Sequence, residues 1–503
     1  MTGFHIVVKQ RSFKGQSHRW PVFIVFLLFW SGCTSHQRFH EQLIGDFGRI
    51  VLHQSNLGMN GFVLGVPHGT ADAIEYAKTI SDRTGAGLVI AYGFNANRIP
   101  VTQPLIHTTP ISWRGTDSAR PGSVYPEFKK FLRAATVGTL RFYVGIRIAE
   151  EANQPLRIEV ASGGLSFEQL KFLKEAYVAI RNRSIKNMAI PKVEIALNPI
   201  DDISWNAFGA KNHGVLMLAE KGLILRMPTV LTLPDFKSAY REIIAKWVIE
   251  ASTVARRISV QMPEIQVKQL PYGRIDLIPS RNNSRGIVIG APHGSFDWYT
   301  SELVEELSFR TLLPAVVTRG FTPTECGGWR INVNRPTERR YPTDTVERET
   351  ARATEVYQRF KESVFEAARG PLDLYIDMHQ NSSENNIDVA TVGISREQAR
   401  AVKTAYREIR DRMLREEPEV PKVNLVIEPL DQVAIGAWAA KDQGILRLAK
   451  HTFHFELPAQ HVFYRENARR AYTKILAELI NLIATTKSSS IIARTAALPG
   501  TAN

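Results

Sequence analysis

Two cysteines in 503 residues, Cys33 and Cys326, are too few for a disulfide framework. The fold must rest on packed cores, and 44% apolar with 22% charged residues is enough material for them. No apolar run reaches the roughly 20 residues that a transmembrane helix needs. Low-complexity tracts are missing from the interior, and so is any recognisable nucleic-acid-binding module, so the net charge of +14 does not point to DNA or RNA. The length exceeds what one ordinary core supports and implies two domains.

Acidic residues are absent from the first 20 positions, which carry Lys9, Arg11, Lys14 and Arg19. They lead into PVFIVFLLFW at 21–30, about as long as a signal-peptide core, and then into Ser31-Gly32-Cys33. This resembles a bacterial lipoprotein signal. The resemblance implies that residues 1–33 end at a lipidation cysteine, Cys33, and that the protein is exported and held at a membrane of the cell envelope. Trp30 departs from the leucine usual in such signals, and a plain N-terminal anchor is the alternative. Without the four leader charges the body keeps +10. That balance fits an anionic surface or an acidic substrate, or serves solubility alone.

Searching for internal repeats is productive. FVLGVPHGTADAIEYA at 62–77 reads against IVIGAPHGSFDWYTSE at 287–302. Further on, LRFYVGIRIAEEANQ from Leu140 lies over LDLYIDMHQNSSENN from Leu372, and KVEIALNPIDD from Lys192 over KVNLVIEPLDQ from Lys422. Three collinear matches imply a tandem duplication. Each copy alternates short apolar, β-branched runs with helix-period segments, the α/β pattern. The expected fold is two three-layer α/β domains, each a mostly parallel or mixed sheet flanked by helices. The first spans 40–257 and the second 284–485, with a linker near 257–283 and a flexible tail at 486–503. Ser395 followed by Gln398 has the spacing of a capping box opening an amphipathic helix.

Four polar signatures stand at the ends of predicted strands in the second copy, where open α/β sheets build their sites. PHGSFD places His293 four residues before Asp297; WRINVNRP carries Arg330, Asn334 and Arg335; YIDMH carries Asp377 and His379; and HTFHFELP carries Glu456. Two imidazoles and a carboxylate make a three-ligand catalytic zinc set with one position open for water. A carboxylate that is not a ligand can take a proton from that water, and Glu456 suits the task. Arg335 is a planar cationic fork of the kind that grips a carboxylate. His454 shares the Glu456 face and reads equally as a packed histidine or a substrate contact. No suitably spaced base accompanies Cys326, which reads as a passive thiol.

The order His…acid, Asn-Arg, Asp-x-His, Phe-x-Phe-Glu resembles the zinc metallocarboxypeptidase superfamily. Within it the motifs are nearest to the N-formylglutamate amidohydrolases and the poly-γ-glutamate hydrolases. The resemblance implies that His293, Asp297 and His379 ligate one Zn2+ per chain and that Glu456 is the catalytic base. It also implies that Asn334 and Arg335 hold a substrate carboxylate and that Arg330 polarises the scissile carbonyl; in Asp-x-His, Asp377 shares the strand face of His379 and is expected to orient its ring. Carboxypeptidases carry glutamate one residue earlier than Asp297, which leaves Glu302 as an alternative ligand. The expected reaction is zinc-dependent hydrolysis of an amide in an N-acyl amino acid, a γ-glutamyl or a cell-wall peptide. A non-catalytic, membrane-anchored binder of acidic ligands is the alternative.

Carried across the repeat, His68 and Asp72 survive in the first copy, as do Asn97 and Arg98. His379 becomes Arg147, Glu456 becomes Arg226 and Asp377 becomes Gly145. Arginine neither ligates zinc nor acts as a base near neutral pH. The first copy is therefore expected to be degenerate, its arginines either holding an anion or neutralising Asp72.

Overall fold

The computed structural model describes residues 39–485, apart from 45–47, 55–60, 95–99, 105–123, 137, 150–155, 187–189, 206, 257–263 and 382–384. The leader with Cys33, the pair Asn97-Arg98 and the tail from 486 lie outside the described residues. Among the described residues no helix is long and apolar enough to cross a membrane.

Eight strands form the first sheet: β1 (Phe39–Ile44), β2 (Gly48–His53), β3 (Phe62–Val66), β4 (Gly87–Tyr92), β5 (Phe142–Ile148), β6 (Arg157–Gly163), β7 (Glu194–Asn198) and β8 (Lys221–Met227). The second unit begins with β9 (Gln266–Leu270), β10 (Gly273–Ile278), β11 (Ile287–Ala291) and β12 (Ala315–Gly320). A small antiparallel sheet follows, β13 (Trp329–Asn332), β14 (Thr337–Arg340) and β15 (Arg348–Glu349). The large second sheet is completed by β16 (Leu374–Asn381), β17 (Ile387–Val392), β18 (Leu425–Ile427) and β19 (His451–Pro458).

The chain is an α/β protein with two large mixed sheets flanked by helices. Across the first sheet the order is β1-β2-β4-β3-β5-β8-β6-β7, and across the second β9-β10-β12-β11-β16-β19-β17-β18. The sequence of antiparallel and parallel neighbours is the same in both. The central strands are buried on both faces because helices cover both, and each sheet separates two cores.

Buried polar details repeat as well. Tyr177 donates to the Val193 carbonyl at 2.9 Å, and Tyr406 to that of Val423 at 2.8 Å. The amides of Val193 and Val423 each donate to a tyrosine on the closing helix, Tyr240 and Tyr472, at 2.6 Å. Helices Phe167–Ser184 and Arg396–Met413 both open with a complete capping box, Ser166 with Gln169 and Ser395 with Gln398.

One boundary differs from the sequence expectation. Much of the stretch assigned to the linker at 257–283 is β9 and β10, which form the hairpin edge of the second sheet, as β1 and β2 do in the first. Its polar residues hid it: Arg274 and Asp276 alternate with apolar neighbours yet are fully buried, pointing into the junction between the units.

Candidate functional site

The site forms where β11, β16 and β19 end. Gly290 in β11 lies opposite Asp377 in β16, and a Cβ at Gly290 would come within 2.0 Å of the Tyr375 hydroxyl. Glycine there lets Tyr375 lie across the sheet and donate to Asp377 Oδ1 at 3.0 Å. On the neighbouring strand pair Asp377 faces His454 and His379 faces Glu456. These four share one side, while Met378, Phe455 and Leu457 fill the core on the other. The turn after β11 brings in His293 and Asp297, closed by a 2.7 Å bond from the Asp297 amide to the His293 carbonyl. Thr318 Oγ1 pins its start through Pro292 O at 2.6 Å.

A continuous chain of contacts results. Asp377 Oδ2 is 2.9 Å from both His379 Nε2 and His454 Nδ1. His379 Nδ1 is 2.9 Å from Asp297 Oδ2, and His293 Nδ1 lies 3.4 Å from the same oxygen. His454 Nε2 is 3.1 Å from Glu456 Oε1. All six side chains are buried.

Burial shapes the electrostatics. It lowers His293 to about 3, helped by the Arg330 cation beside it, so this imidazole is neutral. Burial would also disfavour charge on His379, but Asp377 and Asp297 override it and raise the group to about 10. Asp297 and Asp377 are held well below the usual carboxylate range, against the cost of burial, by their histidine partners.

Two overlapping donor sets have ligand atoms within 4.8 Å of one another: His293, Asp297 and His379, or Asp377, His379 and His454. The first fits a zinc ion better. Asp377 is already occupied by two imidazoles and a hydroxyl, whereas His293 Nε2 is buried with no hydrogen-bond partner among the described residues. His379 has one nitrogen at Asp297 and the other on a carboxylate, the arrangement that orients a ligating imidazole. Glu302 is not in the set, because it accepts hydrogen bonds from Asn212 at 2.7 Å and from Ser301 at 2.7 Å.

Of the residues singled out from sequence for ligation, base or substrate contact, His293, Asp297, His379, Glu456, Asn334, Arg335, Arg330 and His454 line a single cleft of about 540 Å3, and Glu302 does not. Asp377 lies beneath it. Arg330 stacks on Phe296 at 3.9 Å and reaches His293 Nδ1 at 3.1 Å, and its Nε has no partner among the described residues. Arg335 is less free. Glu347 takes its Nε at 2.8 Å and one Nη as well, while Asn334 accepts from the other Nη at 3.0 Å. Sequence reading missed Glu347 and the wall at 435–440 with Trp438, which meet the motifs only in space, and it passed over Tyr375, which opens the YIDMH motif. Burial pushes the Cys326 thiol far up, in keeping with a passive role.

No family model matches the chain, and no curated protein matches it. Solved structures do. A metallo-carboxypeptidase from Burkholderia cenocepacia is 12% identical, with 46% of this chain and 67% of that one covered at a TM-score of 0.28. A bacteriophage poly-gamma-glutamate hydrolase is 14% identical, with 48% and 95% covered at 0.23. The gene product Atu2144 of Agrobacterium tumefaciens is 12% identical, with 41% and 92% covered at 0.25. Likeness of this degree carries no activity or substrate across.

The first unit lacks the constellation. Arg147 and Arg226 face each other across β5 and β8, as His379 and Glu456 do across β16 and β19. They do not neutralise Asp72. Thr70 caps helix Ala71–Thr84 directly after His68, which puts Asp72 on its first turn, 2.8 Å from Lys237. Arg226 instead meets Glu159 at 3.4 Å and Ser204 Oγ at 3.1 Å, and Arg147 lies 3.9 Å over Trp205. The Thr102 carbonyl accepts from Val215 N at 2.8 Å, as the Asn334 carbonyl does from Ile445 N at 2.9 Å. Thr102 and Asn334 thus make the same backbone contact in the two units.

The Tyr143 ring lies over Gly65 as the Tyr375 ring lies over Gly290, but Gly145 stands where Asp377 would. Its hydroxyl is buried with no hydrogen-bond partner among the described residues. Because such a group costs about 1–3 kcal/mol, Tyr143→Phe should leave stability unchanged or raise it. Tyr375→Phe should lower it, and paired denaturation curves would read the contrast. Equal losses would contradict it.

Proposed function

We propose that the second unit is a zinc-dependent hydrolase that cleaves an amide bond in a carboxylate-bearing substrate, such as an N-acyl amino acid, a γ-glutamyl or a cell-wall peptide. The reading is carried by the convergence of His293, Asp297 and His379 on one point of a cleft that Glu456 also lines. In it these three residues hold the ion, and Asp377 fixes the ring of His379. Zinc supplies Lewis acidity and lowers the pKa of water bound to it to about 7. Glu456 takes the proton of the attacking water and passes it to the leaving nitrogen. His454, 3.1 Å from Oε1, holds that carboxylate in place. Arg330 faces the carbonyl oxygen as charge develops on it. Asn334 and Arg335 meet the substrate carboxylate, which joins Glu347 on the Arg335 fork.

In this reading the chain is a tandem duplication whose first copy has become non-catalytic. The repeated strand order, the repeated buried tyrosines and the stranded Tyr143 hydroxyl support that history. Cys33 is its lipid anchor in the cell envelope, as the leader composition supports.

Metal analysis of protein purified without chelator should find about one zinc per chain. His379→Ala should abolish most of it and Arg147→Ala should not. Hydrolysis is then read on a panel of N-acyl amino acids, γ-glutamyl peptides and cell-wall fragments. Zinc near zero in the wild-type chain would overturn the reading.

A further inference from the structure

We infer that the first unit is a fixed scaffold for the second unit's site, with Asn212 as a positioning residue for the turn that carries His293 and Asp297. The inference rests on the ligand assignment proposed above. Helix Phe208–Asn212 and the residues after it run from the first unit against the back of that turn. Lys211, Asn212 and His213 are only 2%, 0% and 1% exposed. Polar groups buried so deeply need partners, and most of theirs belong to the second unit.

Ser295 stands between the two ligands in the turn, and its Oγ donates to the Asn212 carbonyl at 2.8 Å while accepting from Gly320 N at 2.7 Å. The Asn212 side chain lies 2.8 Å from Ser301 Oγ and donates to Glu302 Oε1 at 2.7 Å. Both belong to helix Thr300–Thr311, which begins just after Asp297. Phe208 packs its ring 5.3 Å from Trp298 and 5.1 Å from Tyr299. On the far side His213 Nδ1 contacts Glu325 Oε1 at 2.8 Å, in the loop that leads to Arg330. One short segment thus grips the ligand turn at its middle and just past Asp297, together with the approach to Arg330. A turn has no strand ladder or long helix of its own to fix it, and metal ligands must be held to within about 0.5 Å.

The second unit's own version of this segment, Trp438–Asp442, makes no such junction among the described residues. Asp442 is exposed and Trp438 is 74% exposed. Lys441 there pairs with Glu428 at 2.5 Å. The matching position in the first unit is Asn198, a neutral residue 3.3 Å from Lys211 Nζ, and the ammonium goes instead to Glu305 of the second unit at 2.9 Å. The first unit's segment is therefore specialised for docking in its charge as well as its burial.

The test uses the full chain with Asn212→Ala, Ser295→Ala and a control, Leu173→Ala, in the first unit's own core. Zinc affinity is measured by chelator competition below the unfolding temperature, and amide exchange is followed at 293–299. Both junction variants should bind zinc about 10–100-fold more weakly and exchange faster across the turn, while the control stays within about twofold of wild type. Should Asn212→Ala fail to fold, Ser295→Ala, which loses a single hydroxyl, decides. Wild-type affinity and exchange in Ser295→Ala would overturn the scaffold role while leaving the ligand assignment standing. A wild-type chain that binds no zinc would overturn both.

Discussion

Glu456→Gln is expected to cut the hydrolytic kcat by about 10²–10⁴-fold while leaving zinc content and KM close to wild type. Glutamine keeps the shape and can still meet His454, now 3.1 Å from Oε1, but it cannot accept the proton of an attacking water. The side chain stands on a strand between core residues Phe455 and Leu457, so the substitution has little room to disturb the fold. Single-turnover kinetics at saturating substrate isolate the chemical step. Full activity in this variant would exclude the carboxylate as base and with it the mechanism. Loss of zinc alongside activity would instead mean that Glu456 supports the ligand set.

The second large effect lies at the junction of the units. Arg319→Met should destabilise the folded chain by about 3–5 kcal/mol, the usual cost of leaving buried partners without their counter-charge. Arg319 is 1% exposed and contacts Asp276 at 3.2 Å, Glu305 and Asn212. Arg274 and Lys211 supply the other buried cations, 2.8 Å from Asp276 and 2.9 Å from Glu305. Urea denaturation reads the loss directly. Arg348→Ala, which removes an exposed pair with Asp344, should cost under about 1 kcal/mol. A loss in Arg319→Met no larger than that would show the cluster to be dispensable.

The same cluster gives a pH dependence. Burial alone would raise the Glu305 carboxyl, but Arg319 and Lys211 overcome it and hold the group at about 2. A carboxyl depressed in the folded state stabilises fully above its unfolded value near 4.3, and the contribution is lost as pH falls through the folded value. Without Arg319 the folded value rises, so acid unfolding of the variant should begin at a higher pH than in wild type. An unchanged acid midpoint would contradict this.

Much of the architecture was legible in the chain because it rests on local pattern. The runs IVIGAP and LDLYIDMH became β11 and β16, and the Ser395–Gln398 spacing became a capping box. The hairpin β9–β10 escaped because its inward residues are charged, and hydrophobic alternation cannot report a face buried against another unit's carbonyls. The cleft residues were legible for a different reason: histidine, aspartate and glutamate inside apolar strands are costly without a role or a partner. Asp72 shows the limit. Its spacing from His68 matches that of Asp297 from His293, yet one threonine cap starts the helix early and turns the acid toward Lys237.

By itself the sequence determined two α/β units of one pattern and the candidate ligand, base and arginine positions of the second unit's cleft, since strand period, capping and buried polar residues are written locally. Tertiary structure alone decided which acid joins the histidines, sending Glu302 to Asn212 and leaving Asp297 beside His379. It decided that Arg335 shares its fork with Glu347, and that the first unit's arginines turn to Glu159 and Trp205. These outcomes are competitions for partners between residues far apart in the chain, settled by distance and burial.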